Sequence, residues 1–139
     1  MAVERMYPRL VVHDADAAID FYLAAFGAEL VERYTDGSDA VVHALLRAGG
    51  AEWALKDGDA VDPAPSGPGA VIMALEVDAP DAVAAAMVAH GGRVLFPVTD
   101  HDYGRRAGRI ADPFGHAWMV AAHTGDLTPE RIQERTGRL

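Results

Sequence analysis

The stretch HDADAAIDFYLAAFGAELVERYTD, residues 13–36, recurs as VDAPDAVAAAMVAHGGRVLFPVTD at residues 77–100, without a gap and at a constant offset of 64 residues. The matched positions keep residues that begin and end secondary structure. They are Asp14/Asp78, Gly27/Gly91, Thr35/Thr99 and Asp36/Asp100. The chain is therefore a tandem duplication. Two copies of a unit that cannot bury its own apolar face must pair, and the seam between them is a natural place for a ligand cavity.

The first copy reads as a βαβββ unit. Its elements are a strand over 6–12, a helix from the Asp14 cap to Phe26, and strands over 28–34, 40–47 and 51–56. Apolar residues recur at helical spacing from Ala18 to Phe26, Gly27 ends the helix, and Thr-Asp closes the next strand.

The second copy repeats this order with a strand over 70–77, a helix over 80–90, and strands over 93–98, 103–110 and 116–122. One inserted residue in the turn at 112–115 brings Gly50 opposite Gly115 and Trp53 opposite Trp118. The sequence thus predicts one domain over 1–139, with unit 1 at about 5–61, a Pro- and Gly-rich linker at 62–69 and unit 2 at about 70–123. Thr128 and Pro129 predict a tail helix within 126–137.

Composition excludes several classes of function. The chain has 139 residues, no cysteine and a net charge of −9, and this acidity disfavours nucleic acid because such binding neutralises phosphates with Lys and Arg. Its beginning, MAVERMYPRL, has no apolar signal region, and no stretch approaches 18 apolar residues. We expect a cytoplasmic protein that contacts no membrane and whose partners are a small molecule and a second copy of itself.

The helix IDFYLAAFGAEL and the last strand entered through DPFGHAWMV make the chain similar to the vicinal oxygen chelate superfamily, the glyoxalase, bleomycin-resistance and extradiol dioxygenase group. The pair His43-Ala44, the stretch YGRRAGRIADPFGH and the Thr-Pro-Glu helix start resemble its PhnB-like branch. The resemblance implies an α+β fold in which two tandem βαβββ units form a curved mixed sheet, as half-barrels with the helices outside. It also implies a homodimer that binds small molecules inside the curve; the fallback is a ferredoxin-like α+β dimer.

In metal-using members of this superfamily, His or Glu side chains on the first and last strand of each unit hold the ion. The matching positions here are Tyr7 (or Pro8), Ala54, Ile72 and Met119, and none is a usual ligand for a divalent metal. We therefore expect no metal and no cofactor. That expectation puts glyoxalase and dioxygenase activities in doubt.

Strand alternation gives the candidate cavity residues. If Ala54 and Met119 face inward, Glu52 and Lys56 do so too, and Trp53 and Trp118 face the helices. The same parity places Arg5, Tyr7 and Arg9 on the cavity side. Glu52 would then meet Arg9 or Lys56, as a rim ion pair or as an acid/base pair.

Four further polar residues are candidates for function. His43 stands in an apolar strand and is either a structural histidine or a base. Tyr103 and Arg105 precede the DPFGH motif, where an arginine could hold an anionic ligand or balance surface charge. His116 follows the Gly115 turn and either caps that turn or contacts ligand.

Three functions fit these residues. The first is metal-independent binding or sequestration of a small, partly apolar antibiotic or metabolite in a cavity between the units. The ligand-binding set is Tyr7, Arg9, Ala54, Lys56, Ile72, Tyr103, Arg105, His116 and Met119. The second is an enzyme, either an isomerase or lyase that uses His43 or Glu52 as base, or a metal-dependent enzyme of the glyoxalase or dioxygenase type. The third is a protein whose dimer surface is its working part.

Overall fold

The fold is seen in a computed structural model that describes residues 1–139. Two four-stranded mixed sheets carry one helix each, and a third helix follows. The elements are β1 (Arg9–Val12), α1 (Ala15–Phe26), β2 (Glu29–Thr35), β3 (Val41–Ala48), β4 (Ala51–Asp57), β5 (Ile72–Glu76), α2 (Pro80–Ala89), β6 (Arg93–His101), β7 (Arg105–Ala111), β8 (Ala117–His123) and α3 (Pro129–Thr136). The predicted βαβββ repeat is confirmed.

The two sheets have the same topology. Their strand orders are β1-β4-β3-β2 and β5-β8-β7-β6, and in each sheet the first strand runs parallel to the last. The sheets stay open at both edges. The chain divides into two compact units, which are Met1–Ala70 with Pro113–His116, and Val71–Asp112 with Ala117–Leu139. None of its helices has the length and apolar character needed to cross a membrane.

The register of the strands confirms the predicted alignment of the copies. Leu46 pairs with Trp53 in the first sheet, and Ile110 pairs with Trp118 in the second. These pairs are related by an offset of 64 residues on one strand and 65 on the next, so the extra residue does lie in the turn before β8. Equivalent backbone positions can therefore be compared residue by residue.

Helix α1 begins and ends where its sequence signals predict. The Asp14 side chain accepts a hydrogen bond from the backbone N–H of Ala17 at 3.1 Å, and Gly27 ends the helix with a φ of 64°. A second carboxylate, that of Asp57, accepts from the N–H of Ala15 and from the N–H of Val41, both at 2.7 Å. Asp57 at the end of β4 thus joins the start of the helix to the start of β3.

Helix α2 begins differently, and the assignment of Asp78 as its capping residue is wrong. Its N-cap is Ala79, which forms no side-chain cap hydrogen bond, and Pro80 occupies the first turn. Proline has no N–H to satisfy there, so this helix needs one acceptor fewer. The bidentate pairs Arg33–Asp16 and Arg106–Asp81 join each helix to its sheet and hold the pKa of both carboxyls below the ordinary value.

Three predicted boundaries are wrong for reasons of pairing. Strand β1 begins at Arg9 rather than Met6, just after Pro8, which cannot donate to a sheet ladder. Strand β6 runs through Thr99 and Asp100 to His101, because Asp100 pairs with Arg106 across the hairpin at 3.1 Å. Strand β7 consequently begins at Arg105 rather than at Tyr103.

The tryptophans are buried at equivalent positions. The Trp53 ring packs against Tyr22 and Phe26 of α1 at centroid distances of 5.6 Å and 6.0 Å. Trp118 donates its indole N–H to the buried carboxylate of Asp112 at 2.9 Å. Since Trp53 faces the helix, its strand neighbours Glu52 and Ala54 lie on the opposite face of the first sheet.

Candidate functional site

The helix-free face of the first sheet is rich in charged groups that neutralise one another. Glu52 lies 2.6 Å from the guanidinium of Arg5 and 3.7 Å from that of Arg47. The predicted pairing of Glu52 with Arg9 or Lys56 is therefore wrong. Arg9 instead donates to the backbone carbonyl of Val42 at 2.7 Å. The structure does bear out an ion pair at this position, with different cations.

Tyr7 and His43 also have partners within the first unit. The guanidinium of Arg5 lies 4.4 Å from the centre of the Tyr7 ring. The His43 Nε2 atom lies 3.1 Å from a carboxylate oxygen of Glu32, and its ring stacks on Tyr34 at 5.9 Å. His43 is thus a half-buried imidazole with a carboxylate and a phenol beside it.

Lys56 is a buried cation with two carboxylates. Its ammonium lies 2.8 Å from Asp59 and 2.8 Å from Asp62, both in the loop after β4. The Lys56 ammonium, followed by the backbone N–H groups of Asp62 and Val61, lowers the pKa of Asp59 to about 2. Lys56 therefore serves to hold this loop.

The lowered pKa of Asp59 predicts a specific acid dependence. A carboxyl whose pKa is lower in the folded than in the unfolded protein stabilises the fold above its unfolded value of 3.8, and this contribution disappears as the pH falls to about 2. We expect the difference in unfolding free energy between wild type and Asp59→Asn to shrink as pH falls from about 4 to about 2. Urea unfolding of both proteins across this range measures it; a constant difference would contradict the assignment.

The helix-free face of the second sheet contains a pocket of about 290 Å³. Its lining is mostly apolar and aromatic, with one arginine. The lining residues are Phe96, Pro97, Thr99, His101, Tyr103, Ala107, Gly108, Arg109 and Met119. Tyr103 stacks on His101 at 5.0 Å and 17°, so two parallel rings form one wall.

A bulge on β6 of the second unit shapes this pocket. Phe96 pairs with Arg109 and Thr99 pairs with Ala107, so β6 has one residue more than β7 between these pairs. Over the equivalent stretch of the first unit, from Glu32↔Leu45 to Thr35↔Val41, the extra residue lies on β3 instead of β2. Pro97 and Gly108 stand where the first unit has Arg33 and Ala44. Proline cannot donate to the ladder and glycine leaves room for Val98, which explains the bulge.

Gly108 tolerates no larger side chain. A Cβ atom built on it would lie 2.7 Å from Cγ2 of Val98 and 2.8 Å from the Val98 backbone nitrogen. We expect Gly108→Ala to lower the free energy of unfolding by about 1–3 kcal/mol, because the bulged strand must move. Chemical denaturation measures this loss. Gly37→Ala is the matched control, since a Cβ there meets nothing within 4 Å; equal losses would contradict the role of the bulge.

The two units differ in one row of side chains that runs across each sheet. In the second sheet the row is Ala74, Met119, Arg109 and Phe96, and in the first it is Arg9, Ala54, Leu45 and Glu32. Arg9 and Glu32 both have hydrogen-bond partners within the first unit. Arg109 forms no ion pair, and its buried Nε has no hydrogen-bond acceptor. Its guanidinium lies 5.3 Å from the centre of the Phe96 ring.

The other predicted site residues do not all lie at the pocket. Of the predicted set, Tyr103 and Met119 line the pocket. Arg105 pairs with Glu76 at 3.1 Å, and Ile72 is 41% exposed on the edge strand β5. His116 donates from Nε2 to the Val11 carbonyl at 2.9 Å, so it holds the DPFG turn against β1.

The residues at the family's ligand positions do not fit a divalent metal. The register places Arg9, not Tyr7, opposite Ala54, and Ala74, not Ile72, opposite Met119. An alanine offers no donor atom, and a guanidinium is a cation. No group of three or more His, Asp or Glu side chains in the chain could hold a metal ion.

Phe96 and Arg109 line the pocket but were not among the site residues predicted from the sequence. Two signals were available, since Pro97 and Gly108 both interrupt predicted strands and such residues mark bulges. Arg109 also shares strand parity with Arg105, which was selected. Only the pairing of β6, β7 and β8 brings Phe96, Arg109 and Met119 into one row.

A duplicated βαβββ chain with two open mixed sheets is the fold of the glyoxalase and bleomycin-resistance group. The family model of the Glyoxalase/Bleomycin resistance protein/Dioxygenase superfamily matches residues 6–120, and the chain belongs to this superfamily. An uncharacterized protein of Mycobacterium bovis is 34% identical over 133 residues, which cover 91% of this chain and 88% of that protein. Membership in the PhnB-like branch stays a prediction.

Two solved structures show the same fold at low identity. TioX from Micromonospora sp. ML1 has a TM-score of 0.67 and 23% identity, over 90% of this chain and 100% of that one. The genomically encoded fosfomycin resistance protein FosX from Listeria monocytogenes has a TM-score of 0.72 and 18% identity, over 95% and 99%. At these identities the likeness concerns the fold alone.

Proposed function

We propose that the protein binds a small, partly apolar molecule, an antibiotic or a metabolite, without a metal ion. The observation that carries this proposal is the pocket on the second sheet, which combines Phe96, Tyr103 and Met119 with the single cation Arg109. Mostly apolar concave sites with few polar groups are typical of ligand sites in proteins. The pocket volume of about 290 Å³ is at the small end of the range for ligand sites, roughly 300–1,000 Å³, so it suits a small ligand.

The metal-free part of the proposal rests on donor chemistry. The residues matched to the superfamily's ion-holding positions are Tyr7 (or Pro8), Ala54, Ile72 and Met119, and the register pairs Ala54 with Arg9 and Met119 with Ala74. None of these is a usual ligand for a divalent metal. Metal analysis of protein purified without a His-tag tests this directly. A metal content well below one ion per chain is expected, and stoichiometric Zn, Mn, Ni or Fe would overturn the metal-free assignment.

Binding itself is tested by a thermal-shift screen of antibiotics and metabolites. A ligand at 100 times its dissociation constant adds about 2.7 kcal/mol to the free energy of unfolding. Ala107→Leu places a larger side chain in the pocket and is expected to abolish the shift of any hit. Ala24→Leu, on the exposed face of α1, is the control that should leave the shift unchanged. A thermal shift that persists in Ala107→Leu would mean that the ligand binds elsewhere.

We also propose a homodimer, since members of this superfamily often dimerise. Phe96 is 60% exposed on β6, and Val71 and Ile72 are exposed at the start of β5. Both strands are edges of the second sheet. Exposed apolar edges favour pairing with another chain. Sedimentation analysis is expected to give twice the chain mass of 14.7 kDa; the single mass would contradict the dimer.

A second candidate function is general acid–base catalysis on the first sheet, an isomerase or lyase activity. The contact between His43 and Glu32, with Tyr34 stacked beside the imidazole, favours it. If a bound hit is also converted, His43→Gln should abolish conversion and leave binding intact. Conversion retained in His43→Gln would exclude His43 as the base, and no conversion by wild type would leave binding as the function.

A further inference from the structure

We propose that Arg109 is the anion-binding residue of the pocket and that the ligand is a monoanionic carboxylate on a flat apolar group. This inference rests on the proposed binding function and specifies the ligand's chemistry. Arg109 is a half-buried cation with no carboxylate partner. Arg105, four residues earlier on the same strand and with the same parity, lies 3.1 Å from Glu76.

An unpaired guanidinium at a pocket is costly in the free protein. Its Nε is enclosed and donates to no protein atom, so the desolvation of that group is uncompensated. The face of Phe96 at 5.3 Å offers only a weak attraction. A carboxylate is the acceptor that matches the fork of a guanidinium, through two parallel hydrogen bonds.

The surrounding charges favour a single negative charge. The pocket contains one arginine, whereas a phosphate dianion calls for further donors. The chain as a whole has a net charge of −9, which repels multiply charged anions more strongly than monoanions. A carboxylate is therefore the better match than a phosphate.

The remaining lining specifies the rest of the ligand. The parallel rings of His101 and Tyr103 form one wall, and Phe96 and Met119 flank Arg109. Aromatic rings and a thioether contact planar apolar groups favourably. Ala107 also lines the pocket, and its small side chain leaves the space that a planar apolar group would fill.

The experiment compares 2-naphthoate with the neutral 2-naphthamide by calorimetry and by two-dimensional NMR. We expect wild type to bind naphthoate about tenfold to a hundredfold more tightly, as for hydrogen bonds to a charged group. Arg109→Gln should remove that preference, and Arg109→Lys should retain part of it. Arg93→Gln removes an exposed arginine of β6 that does not line the pocket, and it should change nothing.

Each contrary result has a distinct meaning. Equal affinities for naphthoate and naphthamide, with shifts at Phe96 and Met119, would overturn the role of Arg109 and keep the pocket. Loss of the preference for naphthoate in Arg93→Gln would attribute that preference to the general charge of the protein and would also overturn the role of Arg109. Displacement of naphthoate by equimolar inorganic phosphate would overturn the carboxylate assignment. Binding of neither probe would overturn both this inference and the proposed pocket.

Discussion

Trp53→Ala is expected to lower the free energy of unfolding by about 3–5 kcal/mol, the range for a buried aromatic residue reduced to alanine. The side chain is 2% exposed and contacts the rings of Tyr22 and Phe26 edge-on. Its removal leaves a cavity between β4 and α1 that the surrounding backbone cannot fill. The midpoint of thermal unfolding should fall by about 10 °C or more.

Two variants control this prediction. Trp53→Phe keeps an aromatic ring in the same place and should lose less than half as much stability. Leu23→Ala also truncates a large apolar side chain, but on the exposed side of α1, and it should lower the free energy of unfolding by less than about 1 kcal/mol. A loss for Trp53→Ala as small as that for Leu23→Ala would mean that this cluster does not hold the helix to the sheet.

Asp57→Ala is expected to lower the free energy of unfolding by about 3–6 kcal/mol. Its two carboxylate oxygens accept from the N–H groups of Ala15 and Val41, and hydrogen bonds to a charged group contribute about 1.5–3 kcal/mol each. Both N–H groups lose their acceptor in the variant. Hydrogen exchange at these two amides should accelerate together with the loss seen in urea unfolding.

Asp57→Asn and Asp20→Ala complete the comparison. The asparagine retains one acceptor oxygen, so its loss should be about half that of alanine. Asp20 is exposed on α1, and its removal tests the effect of charge alone. If Asp20→Ala costs as much as Asp57→Ala, the two backbone hydrogen bonds do not explain the effect.

Local signals explain what the sequence predicted well. Asp14 and Gly27 form backbone hydrogen bonds to residues three and five positions away, and both function at α1 as predicted. The duplication predicted the remaining helices and strands, because matched positions in the two copies lie in equivalent elements. Asp78 shows the limit of this reasoning, since Pro80 relieved α2 of the need for a capping carboxylate.

The predictions that failed depend on contacts between different strands or segments of the chain. Strand β6 continues past Thr99 because Arg106 pairs with Asp100, and no local pattern reports that pair. Glu52 lies between Arg5 and Arg47, which approach it from two other segments of the chain. The pocket was missed for the same reason, since its centre exists only when three strands are aligned.

Pro97 and Gly108 have a consequence for how the two copies have diverged. Both copies share one topology, but with Pro97 and Gly108 the second copy has its extra residue on β6, and Arg109 and Phe96 of its pocket stand where the first copy has Leu45 and Glu32. Under the proposed function, the ligand-contacting residues belong to the second copy, whereas the charged side chains of the first copy are paired among themselves. Substitutions in β6 and β7 would then alter ligand preference without touching the first sheet.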